Sequence, residues 1–216
     1  MPELLADPVS HLLARILEGA PRRLIALAGT PGSGKSTLAA RLEAELNARA
    51  WPGAAVALGM DGFHLPKSAL RAMPNPDEAF ARRGAPWTFD AAGLLQRLQL
   101  IRAAAGSEAV PWPDFQHDVG DPVEAAHLIP PDARVVLVEG LYLLHDDADW
   151  APVAAQFDER WFLDTPLELA LDRLARRHMQ AWGFTRAQAE ARIASSDGIN
   201  AELVLRSRER ADYIVV

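Results

Sequence analysis

Nine residues, Gly29, Thr30, Pro31, Gly32, Ser33, Gly34, Lys35, Ser36 and Thr37, contain the spacing GxxxxGK[ST]. Glycines at these intervals let the backbone curl until successive N–H groups point at one anion. A helix beginning at the end of the loop adds its positive end to the same point. In such a cradle Lys35 reaches the β- and γ-phosphates of a nucleotide, and the Ser36 hydroxyl is offered to Mg²⁺. The chain has 22 basic residues, of which only Lys35 and Lys67 are lysines, so a lysine at this position of the motif is informative.

Three further sets of side chains suit the chemistry of a bound phosphate chain. Glu139 ends the apolar run Val135–Val138 and is placed to hold the water shell of Mg²⁺. Asp61 follows the run Ala54–Met60, where a carboxylate can accept the proton of an attacking hydroxyl, although Asp61-Gly62 is also an ordinary turn pair. Arg173, Arg176 and Arg177 fall at i, i+3 and i+4 of a helical pattern and cluster on one side of it. Arginines so placed can neutralise the charge that spreads over a transferring phosphoryl group.

The elements that must position these residues follow from the periodicity. Short apolar runs at Leu24–Ala28, Ala54–Met60, Val135–Val138, Trp161–Leu163 and Tyr213–Val216, with a weaker one near Val110, alternate with helical patterns. The helical patterns cover about Ser36–Ala50, Ala91–Ala105, Pro166–Ala181 and Arg186–Ser195. This alternation predicts an α/β fold with a parallel sheet covered by helices. Thr165-Pro166-Leu167-Glu168 and Thr185-Arg186-Ala187-Gln188 both fit a capping box. The stretches 61–90 and 111–131 read as long irregular loops of the kind that carry substrate sites at strand ends.

Composition narrows the functional classes. The 216 residues are 50% hydrophobic and 24% charged, as expected for one folded domain, and there is no cysteine. Cysteine-ligated zinc and thiol catalysis are excluded, which leaves a hard cation held by oxygens as the natural metal. A formal net charge of −7 argues against non-specific nucleic-acid binding. No apolar window reaches membrane-spanning length and the first twenty residues lack a secretory pattern, so a soluble, cytoplasmic protein is expected. Neither lysine can supply the Asn-Lys-x-Asp element that reads guanine, because Gly34 and Pro66 precede them, and no LSGGQ-like segment is present.

The segments GTPGSGKST at 29–37, MDGFHL at 60–65, RRGAPWTFD at 82–90, VEGLYLL at 138–144 and NAELVLRSRERADYIV at 200–215, with the arginine helix at 173–177, together resemble the phosphoribulokinase/uridine kinase superfamily. The similarity is greatest to its small bacterial nucleoside/nucleotide kinase-like, fructose-transport-system-kinase-like branch, with echoes of type I pantothenate kinase. It covers the chain from about residue 22 onward. The resemblance implies a P-loop NTPase three-layer αβα sandwich with a five-stranded parallel sheet and a helical lid, over residues 1–216. The lid would span about 173–197, the acceptor-binding loops about 61–90 and 111–131, and the protein would be a homodimer in some members. ATP and Mg²⁺ are the implied cofactors and a small molecule the implied acceptor. By the same resemblance Asp61 matches the catalytic base, Glu139 the Walker-B-like acid, and Arg173 and Arg177 the lid arginines. His64, Arg83, His117 and Asn200 fall where relatives approach the acceptor.

The segment Trp112-Pro113-Asp114-Phe115-Gln116-His117-Asp118 departs from the Tyr-Asp-Phe element of uridine kinases. Asp-Gly-Phe likewise replaces their Asp-Ser-Phe. The acceptor thus stays open among nucleosides, sugars and pantothenate-like metabolites. Two other classes keep the cradle without this chemistry: a non-catalytic ATP-binding regulatory module, and an NTPase whose motion drives a partner protein.

Overall fold

The computed structural model describes residues 1–19, 21–116 and 118–216. Among the described residues eight strands run β1 (Glu3–Leu4), β2 (Arg23–Ala28), β3 (Ala55–Gly59), β4 (Val110–Gln116), β5 (Asp121–Ile129), β6 (Val135–Gly140), β7 (Glu159–Leu163) and β8 (Tyr213–Val215). The helices are α1 (Pro8–Leu17), α2 (Lys35–Arg49), α3 (Lys67–Arg71), α4 (Pro76–Ala81), α5 (Ala91–Ala103), α6 (Ala151–Ala154), α7 (Leu167–Trp182), α8 (Arg186–Arg192) and α9 (Gly198–Arg206). None is long and apolar enough to cross a membrane among the described residues.

Six strands form a parallel sheet in the order β1-β8-β7-β2-β6-β3. Five were expected, and the sixth is the two-residue β1, whose Glu3 and Leu4 register with Tyr213 and Ile214 of β8. A strand this short carries no periodicity of its own, so only the edge of β8 defines it. Alternation along β2 splits the core into two faces. Leu24, Ala26 and Ala28 join Val136, Val138 and Phe162 under α5 and the β4–β5 hairpin, while Ile25 and Leu27 join Leu137 and Trp161 under α1 and α2. The result is the three-layer αβα arrangement.

The register brings the functional segments together. Ala28 pairs with Gly140 and Phe162, and Gly59 pairs with Glu139, so β2, β3, β6 and β7 end at the same edge of the sheet. The phosphate cradle leaves β2 there, and Asp61 and Glu139 sit at the ends of the neighbouring strands, which is where open parallel sheets place ligands.

The stretch 111–131, expected to be irregular, is mostly an antiparallel hairpin of β4 and β5. Pro111, Pro113 and Pro122 hide its strand character, and much of β5 faces solvent, so no apolar alternation marks it. Residues 61–90 are largely ordered into 3₁₀ turns and the short helices α3 and α4, closed by bridge pairing of His64 with Phe89. Of the two expected capping boxes, the one at Thr185 forms. The one at Thr165 does not: its hydroxyl donates to the Ser33 carbonyl at 2.9 Å and ties the start of α7 to the cradle.

Candidate active site

The cradle is held in place from three directions. Gly32, at φ +79°, lies so close to α7 that a Cβ would come within 2.1 Å of the Ala170 carbonyl oxygen. Gly34 adopts φ +100° before the first turn of α2, a backbone that side chains resist. Arg173 also donates to the Ser33 carbonyl, at 3.4 Å. The loop is thus clamped to α7 by backbone proximity, one hydroxyl and one guanidinium.

Lys35 is buried and its Nζ donates to the Thr30 carbonyl at 3.1 Å. Burial pulls its ammonium below the usual lysine value, while Glu139 and Asp61 oppose that shift. Ser36 donates its hydroxyl to Glu139 Oε1 at 2.8 Å. Burial raises the Glu139 carboxyl above its usual value, and the Lys35 ammonium and the Ser36 hydroxyl pull it back. The hydroxyls of Thr30 and Ser33 are buried without a hydrogen-bond partner. Among the described residues no group of three histidines or carboxylates could by itself hold a metal.

Two cavities meet at this loop. The first, about 740 Å³, is lined by the cradle from Gly32 to Leu38 with Arg41, Thr165, Arg173 and Arg177. The second, about 400 Å³, contains Asp61, His64, Arg83, Phe89, Phe115, Glu139 and Asn200, together with His178 and Asp197. Gly32, Lys35, Ser36 and Arg177 line both. Arg176, expected to join Arg173 and Arg177, instead pairs with Asp172 at 2.9 Å and lies 72% exposed.

The side chains expected near an acceptor are brought to the second cavity in different states. Asp61 is open to it, with Oδ1 3.9 Å from His64 Nδ1. His64 Nδ1 also lies 2.8 Å from the Asp61 carbonyl, and the ring packs between Phe89 and Phe115. Arg83 has its guanidinium engaged by the carbonyls of Gly120 (2.6 Å) and Leu65 (3.0 Å) and by Asp121 (3.2 Å). Asn200 donates to the Gly84 carbonyl at 3.1 Å and accepts from Arg82 at 3.3 Å. Both residues therefore shape the wall and have much of their hydrogen-bonding capacity committed. Asp114 turns to His127 on β5 (3.5 Å), whereas Phe115 reaches the cavity. His117 lies outside the described residues.

Two buried aromatic side chains outside the cavity lining brace the segments that form it. Trp112 is fully buried and donates its indole N–H to the Gly59 carbonyl at 2.9 Å, fixing the strand before Asp61. Tyr142 donates to the Gly84 carbonyl at 2.5 Å. His178 and Asp197 reach the cavity only because α7 and a π-helical turn at 193–197 fold over it.

Residues 24–216 match the model of the phosphoribulokinase/uridine kinase family. The chain belongs to that family. The ATP-dependent kinase-like protein notR′ of Aspergillus versicolor is 42% identical over 153 residues, covering 69% of this chain and 88% of its own. The uncharacterized protein YggC of Escherichia coli K12 is 36% identical over 211 residues, covering 96% and 84%. Among solved structures, a protein of Silicibacter sp. TM1040 provisionally named a fructose transport system kinase is 33% identical, with a TM-score of 0.83 over 97% of this chain and 99% of that one. Within the phosphoribulokinase/uridine kinase family the chain is accordingly a P-loop kinase, a phosphotransferase.

Proposed function

We propose that the protein transfers the γ-phosphoryl group of ATP to a hydroxyl of a small metabolite, within the class of nucleosides, sugars and pantothenate-like molecules. The observation that carries this reading is the junction of the two cavities. Gly32, Lys35, Ser36 and Arg177 are common walls, so a phosphate chain in the first cavity would end where the second begins. Asp61 stands on the second side.

The residues fit a magnesium nucleotide. Buried Lys35 finds only a carbonyl in hydrogen-bond range, and the orphaned hydroxyls of Thr30 and Ser33 lie in the same loop. An anion supplies the charge and acceptors these groups lack. Ser36 and Glu139, already 2.8 Å apart, are the oxygens that would hold Mg²⁺ directly or through water. Such an ion would offset the negative charge of the phosphate chain.

In this reading free backbone N–H groups of the cradle loop and the Lys35 ammonium hold the β- and γ-phosphates. Asp61 orients the acceptor hydroxyl and takes its proton as the new O–P bond forms and the bond to the bridging oxygen of ADP breaks. Arg173 and Arg177 offset the charge on the transferring group. α7 and α8 act as the lid and the loops around 61–90 and 111–131 as acceptor walls, within one domain. His64 packs the wall beside Asp61, and Arg83 and Asn200 position it.

ADP release with a panel of nucleosides, sugars and pantothenate tests the proposal. Asp61→Asn should retain ATP binding and lower turnover by about 10²–10⁴-fold. Lys35→Ala should weaken calorimetric binding of an ATP analogue as well. Near-normal turnover by Asp61→Asn removes it as the base, and unchanged binding by Lys35→Ala removes the cradle assignment. ATP hydrolysis stimulated by a protein rather than by a metabolite would favour the motor class.

A further inference from the structure

The second cavity contains a polar pair that the phosphoryl-transfer chemistry leaves unused. His178, on the last turns of α7, is 4% exposed, and its ring stacks on Trp182 with centroids 4.5 Å apart and planes inclined by 29°. Its Nε2 lies 3.7 Å from Asp197 Oδ2, beyond a normal hydrogen bond. His178 Nδ1 and Asp197 Oδ2 are both buried with no hydrogen-bond partner. Orphaned buried polar atoms are costly and uncommon in native proteins. Here the two residues that carry them both line the wall of one cavity.

The backbone is built to present them. The π-helical turn Ile193–Asp197 inserts extra chain between α8 and α9, and such bulges recur at functional sites. A small apolar cluster of Leu174, Ala175, Ala189 and Ile193 holds α7 against α8 and this turn, so the pair stands on a packed support.

We propose that His178 and Asp197 form an acceptor subsite on the lid that binds an uncharged, hydroxyl-bearing part of the acceptor, remote from the hydroxyl presented to Asp61. The inference rests on the kinase reading above and narrows its acceptor to a polyhydroxylated molecule. A hydroxyl donates to a carboxylate and exchanges a hydrogen bond with an imidazole, so it meets the need of each orphaned atom. A carboxylate or phosphate at this position would face Asp197 with no proton to give. Arg192 and Arg177 offset part of the charge of Asp197, and each cation of the cavity has another partner or duty. Lys35 belongs to the phosphate cradle, and Arg83 is engaged by Asp121 and two carbonyls. Arg192 donates to the Ala81 carbonyl at 2.9 Å, and Arg177 is shared with the nucleotide cavity. Burial holds His178 below the ordinary imidazole value against the pull of Asp197, which keeps a neutral ring with an acceptor nitrogen available. Trp182 and the Phe89–His64–Phe115 stack offer apolar faces to the C–H surface of such a molecule.

The test titrates D-ribose, D-fructose, ribitol and uridine, against glycolate, L-lactate and 1-butanol, into protein saturated with a non-hydrolysable ATP analogue. ADP release is measured with the same compounds and ATP. Binding and turnover with one or more polyhydroxylated compounds, and not with the single-hydroxyl set, is the expected result. Asp197→Asn and His178→Gln should then raise KM for that compound about tenfold or more, with a smaller effect on kcat. A deoxy analogue lacking the contacted hydroxyl should lose the difference between wild type and Asp197→Asn. Preference for a hydroxy acid, absence of polyol binding, or an unchanged KM in both variants overturns the subsite. The kinase reading stands or falls separately, on ATP-analogue binding and the Asp61→Asn turnover. Because either variant can fail to fold, the ¹⁵N resonance of His178 Nδ1 in the wild-type protein gives an independent readout. It should shift on adding the polyol, and an unshifted resonance overturns the proposal.

Discussion

Glu139 illustrates how one side chain is tuned by its place at a strand end. Its backbone belongs to buried β6, and burial raises its carboxyl, yet the charge of Lys35 opposes that shift and the Ser36 hydroxyl donates to it. A buried acid so placed is poised to take part in binding a cation, because the cation replaces lost hydration. Glu139→Gln preserves shape and the Ser36 contact but removes the charge. In the proposed reading it should raise the Mg²⁺ concentration for half-maximal turnover by about 10–100-fold, as a magnesium titration of ADP release would measure. An unaltered magnesium requirement would move the metal contact elsewhere. At the same scale, the hydroxyl of Thr165 shows that a residue with the right type for one role can be recruited to another. Its capping pattern is intact in the sequence, but the neighbouring Ser33 carbonyl takes the donor.

Among the elements, α7 has two duties that its sequence expresses unequally. Leu174 and Ala175 join the small apolar cluster with α8, and Arg173 and Arg177 line the first cavity. Its contact with the cradle is different, since it depends on Gly32 having no side chain beneath Ala170. Gly32→Ala combines an overpacked contact with a positive φ, and should cost about 1–3 kcal/mol of stability. Denaturant unfolding measures that loss, and ATP-analogue titration should show weakened binding in the same variant. Retention of both would mean that the loop and α7 move apart without consequence.

The whole molecule is joined by polar ties that cross between segments. Arg22, buried at the start of β2, donates to the carbonyls of Ile101, Pro130, Pro131 and Ala133, linking the end of α5 to the chain entering β6. Asp121 does the same for the β4–β5 hairpin, accepting from the Lys67 backbone N–H at 2.8 Å and from Arg83. The Lys67 N–H holds the Asp121 carboxyl below its usual value, with desolvation opposing and Arg83 assisting. A lowered folded pKa contributes stability that is fully present above the unfolded value and is lost as pH falls through the folded one. Stability should therefore drop below about pH 4, and Asp121→Asn should lower neutral-pH stability while flattening that acid limb. Chemical denaturation across pH 2–7 reads both, and an acid limb identical to wild type would assign the loss to other carboxylates.

The sequence by itself determined the cradle motif, the main strand-helix alternation and the acid near the end of β6, because each is encoded within a few consecutive residues. Glycine spacing, helical periodicity and apolar strand runs are local signals, and the sheet that joins them follows from their order. Tertiary structure alone decided the rest. The hairpin at 110–129 has its strand character masked by prolines and solvent exposure, and β1 exists only against β8. Arg83 and Asn200 have their polar groups drawn to carbonyls from segments far away in the chain. His178 and Asp197 carry no shared pattern, being 19 positions apart on a helix and a π-helical turn. Their meeting depends on how α7, α8 and α9 pack. Burial, which gives an unpartnered atom its energetic meaning, is a property of that packing and has no counterpart along the chain.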